Sequence, residues 1–345
     1  MAIKVGILGS TGYTGAGLLG ILLNHPDVEV SWLSSEKFSG WNISRVFPHF
    51  GGFLDIECLS VSEHPGKIPV NIVFSCLPHG ISGRFVSKVL DKGTRVIDFS
   101  RDFRFGDAVV YKKLFKQAHQ YEDCLHKAVY GLPELYREKI RNAALVANPG
   151  CYSTVVILGL LPLAANGFLT GGSIIADIKA GISGGGRAPT LSRHFSEVNE
   201  NMSASLRTAR DQEAEMKYRL SELAGSPVTV EFVPHSVPVN RGILATIYCR
   251  LNDETDYERI YDIYKTHYGE EPFVSLLSKG KFPGVKDVAY SNICRIGLAL
   301  RGSMLVIVAA LDNLGKGVSG QAVQNMNIMF GFPENEGLAA PPIYP

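Results

Sequence analysis

Ten residues from Gly6 to Gly15, Gly-Ile-Leu-Gly-Ser-Thr-Gly-Tyr-Thr-Gly, lie where an apolar β-rich run over 3–8 hands over to a helical stretch. Small residues at such a junction let the backbone turn tightly and approach a pyrophosphate. The free N–H groups and positive dipole end of the next helix can hold that anion. The spacing is Gly-x-x-Gly-x-x-Gly rather than Gly-x-Gly-x-x-Gly, so in isolation it would equally be a glycine-rich turn. Its position between strand and helix makes it a dinucleotide signal. The helix is expected over 14–24, His25-Pro26-Asp27 breaks it, and 28–33 reads as a second strand. Strands at 72–76 and 95–99, with a helix near 82–91 between them, continue the alternation. The pattern predicts an α/β protein whose residues 1–148 form a Rossmann-type, doubly wound parallel sheet.

After Asn148-Pro149-Gly150 the texture changes. A helix is expected to begin at Cys151 or Tyr152 and reach about residue 163, followed by β-rich runs at 173–179, 228–233, 244–251 and 304–310. Helical stretches at 213–224 and 257–268 lie between them, which predicts a second, α+β catalytic domain over 149–312 on a mostly antiparallel sheet. The C-terminal segment, 313–345, carries a last helix near 316–329 that is expected to return to the Rossmann domain.

A chain of 345 residues with 46% hydrophobic and 19% charged residues can bury a sizeable core, which disfavours disorder and coiled coil. The 34 Lys+Arg against 33 Asp+Glu leave no basic excess for a nucleic-acid backbone. Residues 142–176 carry no charge, but prolines, glycines and Asn166 interrupt them, so they read as buried core rather than a membrane span. With no signal-peptide pattern at the N-terminus, a cytoplasmic location is expected. Cysteines at 58, 76, 124, 151, 249 and 294 show no Cys-x-x-Cys spacing, so neither structural zinc nor a disulfide framework is expected.

Of these thiols only Cys151 has a context that predicts reactivity. Asn148-Pro149-Gly150-Cys151-Tyr152-Ser153 sets it at a loop-to-helix junction, where helix dipole and free N–H groups stabilise a thiolate and can receive an oxyanion. The competing reading is a small residue capping a core helix. A nicotinamide loop with a nucleophilic cysteine points to hydride exchange at a thioester, which links an activated acid with an aldehyde. The second strand ends Leu33-Ser34-Ser35, followed by Glu36 and Lys37. Two hydroxyls and a lysine suit the 2′-phosphate of NADP, whereas Glu36 would suit the ribose of NAD.

Taken together, the glycine loop, Asp98-Phe-Ser-Arg-Asp-Phe-Arg104, Tyr130-Gly-Leu-Pro-Glu134, Asn148-Pro-Gly-Cys151, His194-Phe-Ser-Glu-Val-Asn-Glu-Asn201 and Asp312-Asn-Leu-Gly-Lys-Gly317 resemble the N-acetyl-gamma-glutamyl-phosphate reductases of arginine biosynthesis. The resemblance covers essentially the whole chain in order. More distantly, the chain is similar to aspartate-semialdehyde dehydrogenase. The resemblance implies NADPH-dependent reduction of an acyl phosphate to a semialdehyde, with phosphate release through a thioester on Cys151. It further implies a homo-oligomer, dimer or tetramer, acting on small molecules. By position Gly9, Ser10, Thr11, Gly12, Tyr13, Thr14 and Gly15 would hold the pyrophosphate. Ser34 and Ser35 would lie by the ribose, and Cys76, Asn313, Lys316 and Gly317 near the nicotinamide. Arg104 becomes a candidate for the substrate phosphate, Arg187 and Arg241 for another anionic group, and Asn148, Glu197 and Asn199 for polar groups of the substrate. Each arginine would otherwise be an ordinary ion-pair residue.

One stretch departs from the family pattern, in which a His-basic-His-Thr-Pro-Glu run follows the Glu-Asn-Glu-Asn segment and one histidine serves as acid/base. The corresponding residues here are Arg210-Asp211-Gln212-Glu213-Ala214-Glu215. Neither Arg210 nor Gln212 can shuttle a proton near neutral pH. Three readings remain open: His194 or His235 substitutes, a different acyl substrate is used, or the chain binds NADP but turns over poorly.

Overall fold

The computed structural model describes residues 2–62, 68–169, 174–205, 210–251 and 255–344, so Ser173, the expected start of one strand, lies outside the described residues. The strands are β1 (Ile3–Leu8), β2 (Val28–Ser34), β3 (Cys58–Leu59), β4 (Ile72–Ser75), β5 (Arg95–Asp98), β6 (Ala128–Tyr130), β7 (Leu145–Ala147), β8 (Ile174–Gly181), β9 (Ser203–Ala204), β10 (Val230–Val237), β11 (Ile243–Arg250), β12 (Val274–Leu276), β13 (Cys294–Arg301) and β14 (Met304–Leu311). The helices are α1 (Tyr13–Leu22), α2 (Ile43–Val46), α3 (Ser82–Leu90), α4 (Ala108–Phe115), α5 (Glu122–Lys127), α6 (Pro133–Arg141), α7 (Cys151–Ala165), α8 (Phe195–Val198), α9 (Arg210–Ala224), α10 (Tyr257–Tyr268) and α11 (Gly320–Phe330). They fall into two compact units, residues 1–149 with 318–339 and residues 150–317 with 340–345.

In the first unit the sheet order is β3-β2-β1-β4-β5-β7-β6 and every pairing is parallel. All four residues of β4 and the last four of β1 are buried, as expected of a parallel sheet covered on both faces. The strand order reverses between β1 and β4, the crevice where open α/β sheets bind ligands. Trp32 of β2, 1% exposed, lies so close across β1 that a Cβ on Gly6 would fall 2.1 Å from its ring. Helix α11 packs on α1 and α6 through buried amides: Gln321 and Asn325 both donate to the Gly131 carbonyl, each at 2.9 Å. It begins four residues later than 316. Residues Gly315–Ser319 form a wider π-type turn, and Gly315 lies so close to the Ser291 carbonyl that no Cβ could fit there.

The second unit has sheet order β12-β13-β14-β11-β8-β10-β9. Pairings are antiparallel except β12 with β13 and β8 with β10, so the sheet is mixed but mostly antiparallel. Helix α7 carries much of the charge-free stretch and is buried along its length between β11, β14, α9 and α10. Pro162 stands inside it and cannot donate to the Leu158 carbonyl one turn earlier. Tyr268 of α10 supplies the missing donor, its hydroxyl bonding the Leu158 carbonyl, while Tyr264 bonds that of Gly159. The tertiary structure thereby accommodates a proline the local sequence would read as a helix end. Among the described residues, no helix is long and apolar enough to cross a membrane.

Strand alternation assigns the two faces of this sheet. Ala176, Ile178, Ala245 and Ile247 are buried toward the helix layer. Ile175, Asp177, Lys179, Val233, His235, Leu244 and Tyr248 point the other way, with Ile175 43% and Tyr248 37% exposed.

Candidate functional site

Within the first unit the glycine loop follows from its packing. A Cβ on Gly15 would lie 2.4 Å from the Ser10 carbonyl oxygen, so only glycine lets α1 start this close to the strand. A Cβ on Gly12, by contrast, would meet nothing within 4 Å. Gly12 caps α1 without a side-chain hydrogen bond, and no acidic residue occupies the first turn. The helix end is therefore electropositive and open.

Ser34 and Ser35 occupy a different place from the one expected of them. Both are buried, at 0% and 3% exposure. Ser34 Oγ accepts from the Gly9 N–H at 3.4 Å; Ser35 Oγ lies 2.7 Å from Thr11 Oγ1 and accepts from the Phe38 N–H. Their hydroxyls staple the glycine loop to the end of β2, and the exposed side chains beyond them are Glu36 and Lys37.

At the carboxyl ends of β4 and β5, Asp98 is fully buried and accepts from the hydroxyls of Ser82 and Ser100. Burial pushes its carboxyl up to about 7 against the pull of those hydrogen bonds. Burial, with the Asp98 charge second, also pushes the Cys76 thiol well up, which disfavours its thiolate. Asp102 accepts from the Gly80 N–H at 2.9 Å, and Arg104, 6% exposed, donates to the carbonyls of Asn148 at 2.9 Å and Phe99 at 2.7 Å. Asn148 itself is fully buried. Its amide donates to the Val318 carbonyl and accepts from Asn325, bonds internal to the first unit.

Within the second unit Cys151 is the first residue of α7 and partly exposed. Gly317 packs behind it, where a Cβ would come 3.0 Å from the cysteine's own. The open N–H groups expected at this helix start are in part taken. Glu215 Oε1 accepts from the Gly150 N–H at 3.0 Å, and Gln212 Oε1 accepts from the Tyr152 N–H at 2.9 Å. Both acceptors come from the first two turns of α9. Burial first, and then proximity to Cys151, push the Tyr152 hydroxyl above its ordinary range, with Arg193 opposing. Tyr152, Gln212, Asp211, Arg193, Glu197 and Asn201 help line a cavity of about 480 Å³ beside the start of α7.

The remaining expected residues divide. Glu197 lies in this cavity; Arg187 and Asn199, on the same long loop, are not among its lining residues. His194 is exposed and stands just ahead of α8. Strand parity turns His235 to the sheet face opposite α7, where its Nδ1 lies 3.1 Å from Asp177 Oδ1. Arg241 is bound through Nε and Nη2 to the buried carboxylate of Asp312 and lies against the Tyr290 ring, so it is not a free anion receptor. Asn313 likewise spends its amide on the Gly242 N–H and the Ser183 hydroxyl. Lys316 is fully buried, 5.7 Å from the Phe273 ring centroid. Two cavity residues escaped sequence reasoning. Arg193 reaches the site because Gly185 leaves room for its guanidinium, which bonds the Gly185 carbonyl. Asp211 had drawn notice only as part of a departure from pattern. No local spacing marks either.

Family profiles match both parts of the chain: a semialdehyde dehydrogenase NAD binding domain over residues 4–143 and a semialdehyde dehydrogenase dimerisation domain over residues 151–313. The N-acetyl-gamma-glutamyl-phosphate reductase of Desulforudis audaxviator is 44% identical, aligned over 99% of this chain and 100% of its own length. The enzyme of that name from Thermoanaerobacter sp. is also 44% identical over the same shares. Among solved structures, aspartate semialdehyde dehydrogenase II of Vibrio cholerae superposes with a TM-score of 0.74 at 19% identity, covering 96% of this chain and 99% of that one. The Candida albicans aspartate semialdehyde dehydrogenase with NADP gives 0.69 at 15% identity, covering 96% and 99%. The structural likeness establishes the fold, and the full-length sequence identity establishes kinship: the chain belongs to the N-acetyl-gamma-glutamyl-phosphate reductase family, oxidoreductases of the semialdehyde dehydrogenase group.

Proposed function

We propose that the protein reduces N-acetyl-γ-glutamyl phosphate to N-acetylglutamate γ-semialdehyde and phosphate, with NADPH as reductant and a thioester on Cys151 as intermediate. The observation that carries this reading is a partly exposed cysteine opening a buried helix whose next residue, Tyr152, lines a polar cavity together with Arg193. Fit of the dinucleotide is supported by three features of the first unit: the open space over Gly12, the uncapped start of α1, and Gln321 Oε1, a buried acceptor with no protein partner. The loop from Gly9 to Gly15 would hold the pyrophosphate, and Gln321 is an acceptor suited to a carboxamide N–H. When bound, the reduced nicotinamide supplies a hydride to the acyl carbon. Lys37, exposed after β2, is the cation this reading offers to a 2′-phosphate.

The chain's own work is then binding and nucleophilic attack. Arg193 would pair with the substrate's free carboxylate, and the carboxylate of Glu197 would accept its amide N–H. Cys151 adds to the acyl carbon, and phosphate leaves. The decisive test is the reverse reaction. Phosphate-dependent reduction of NADP⁺ is expected with N-acetylglutamate γ-semialdehyde and at least tenfold less with aspartate semialdehyde, an estimate for a site built around a lost polar contact. No activity with the former sinks the substrate assignment, and equal rates with NAD⁺ sink the cofactor preference.

The reading includes a homodimer formed through the sheet face opposite α7. A run of Ile175, Val233, Leu244, Val306 and Val308 there surrounds Asp177, which pairs with Lys179 at 2.6 Å. Such a face is expected to be covered. Sedimentation should give twice the chain's 37.5 kDa, and a charge placed at Leu244 should halve it; a monomeric wild type at micromolar concentration would refute this.

A further inference from the structure

We infer that Gln212 is a catalytic residue in its own right: its carboxamide NH₂ donates a hydrogen bond to the acyl oxygen while Cys151 attacks. The inference rests on the proposed thioester chemistry and adds to it a source of oxyanion stabilisation. A peptide N–H can only donate, so the atom of Gln212 that lies 2.9 Å from the Tyr152 nitrogen must be its oxygen. The NH₂ is therefore not the group held by Tyr152, and Gln212 is one of the residues lining the cavity. Two further bonds restrain this geometry. The Ser153 hydroxyl donates to the Gln212 carbonyl at 3.3 Å, and Glu215, one turn along α9, holds the Gly150 N–H. The same contacts that occupy two N–H groups of the nucleophile's helix thus present a fixed donor one peptide away from Cys151.

Gln212 replaces proton shuttling with a donor that does not titrate. As sulfur adds to the acyl carbon, the carbonyl π pair moves onto oxygen, where the Gln212 NH₂ receives it. The pair returns as the C–O bond to phosphate breaks. The thiol proton passes to the departing phosphate oxygen, so hydrogen phosphate leaves and no protein base is needed. Among the described residues, the charged side chains that line the cavity with Gln212 are Arg193, Glu197 and Asp211; Glu215, one turn along the helix, holds the Gly150 N–H, and no histidine is among the lining residues.

The experiment follows acylation of Cys151 by acetyl phosphate alone, by intact mass, in the full chain without nucleotide. Gln212→Glu keeps an acceptor for the Tyr152 N–H and loses the donor; Gln212→Met loses both. Both variants are expected to acylate ~10²–10³-fold more slowly than wild type, the usual cost of deleting one oxyanion donor, while iodoacetamide alkylates Cys151 within threefold of the wild-type rate. A slow Met variant beside a normal Glu variant would make Gln212 a helix cap only. A slow Glu variant beside a normal Met variant would make the effect one of charge. Either result overturns the inference, as would a matching loss in alkylation. If wild type is acylated yet shows no turnover with N-acetylglutamate γ-semialdehyde, the substrate reading fails and the role of Gln212 is still decided by these rates.

Discussion

Cys151→Ser is expected to lower turnover by about 10⁴-fold or more, about 5.5 kcal/mol of transition-state stabilisation, without loosening the fold. A serine hydroxyl is a poor nucleophile unless a base takes its proton, and among the described residues none that lines the cavity is a histidine. The structural cost is small, since the Cβ that packs against Gly317 is retained and only sulfur is exchanged for oxygen. Thermal unfolding within a few degrees of wild type, with unchanged NADPH binding, should accompany the loss. Turnover within a hundredfold of wild type would place the covalent chemistry elsewhere. The other cysteines are poor substitutes, because burial pushes up the thiols of Cys58, Cys76, Cys124 and Cys249.

The second large effect separates two glycines three residues apart. Gly15→Ala puts a methyl group 2.4 Å from the carbonyl oxygen of Ser10, a backbone atom that cannot swing aside. The start of α1 must retreat, and stability is expected to fall by about 1–3 kcal/mol with nucleotide affinity down by about a hundredfold or more. Gly12→Ala adds the same methyl where the protein has no atom within 4 Å, at a backbone conformation (φ −82°) open to any residue. It should leave unfolding unchanged and still weaken NADPH binding about tenfold or more, because the space it fills is where a pyrophosphate would approach. Denaturation curves paired with fluorescence titration of NADPH test both. If Gly12→Ala binds normally, the loop does not hold the cofactor.

How far the chain could be read in advance depended on the range of the signal. The β1–α1 handover, the parallel sheet and the helix opened by Cys151 all follow from periodicity and from glycine or proline within a few positions. The departure at 210–215 was also legible as a loss of histidine, because the surrounding residues marked its place. The accommodation of Pro162 was not. It depends on Tyr264 and Tyr268, more than a hundred residues further along the chain. The bonds of Ser34 and Ser35 to Gly9, Thr11 and Phe38 were not legible, since a hydroxyl at a strand end serves a ligand or a loop equally well until the loop is folded beside it.

What the sequence by itself determined was the order of elements, the glycine-rich turn between β1 and α1, the start of a helix at Cys151 and the family. These are properties of short segments, or of many segments taken in order. Only the tertiary structure decided where polar side chains spend their hydrogen bonds. Register turned His235 toward Asp177 and away from α7, and packing committed Asn148, Asn313 and Arg241 to internal partners. The same packing brought Arg193 and Gln212 to the cavity by Cys151. The reason is common to all of them: a buried donor or acceptor must be satisfied by whatever long-range neighbour the fold supplies, and strand parity sets the face on which each neighbour stands.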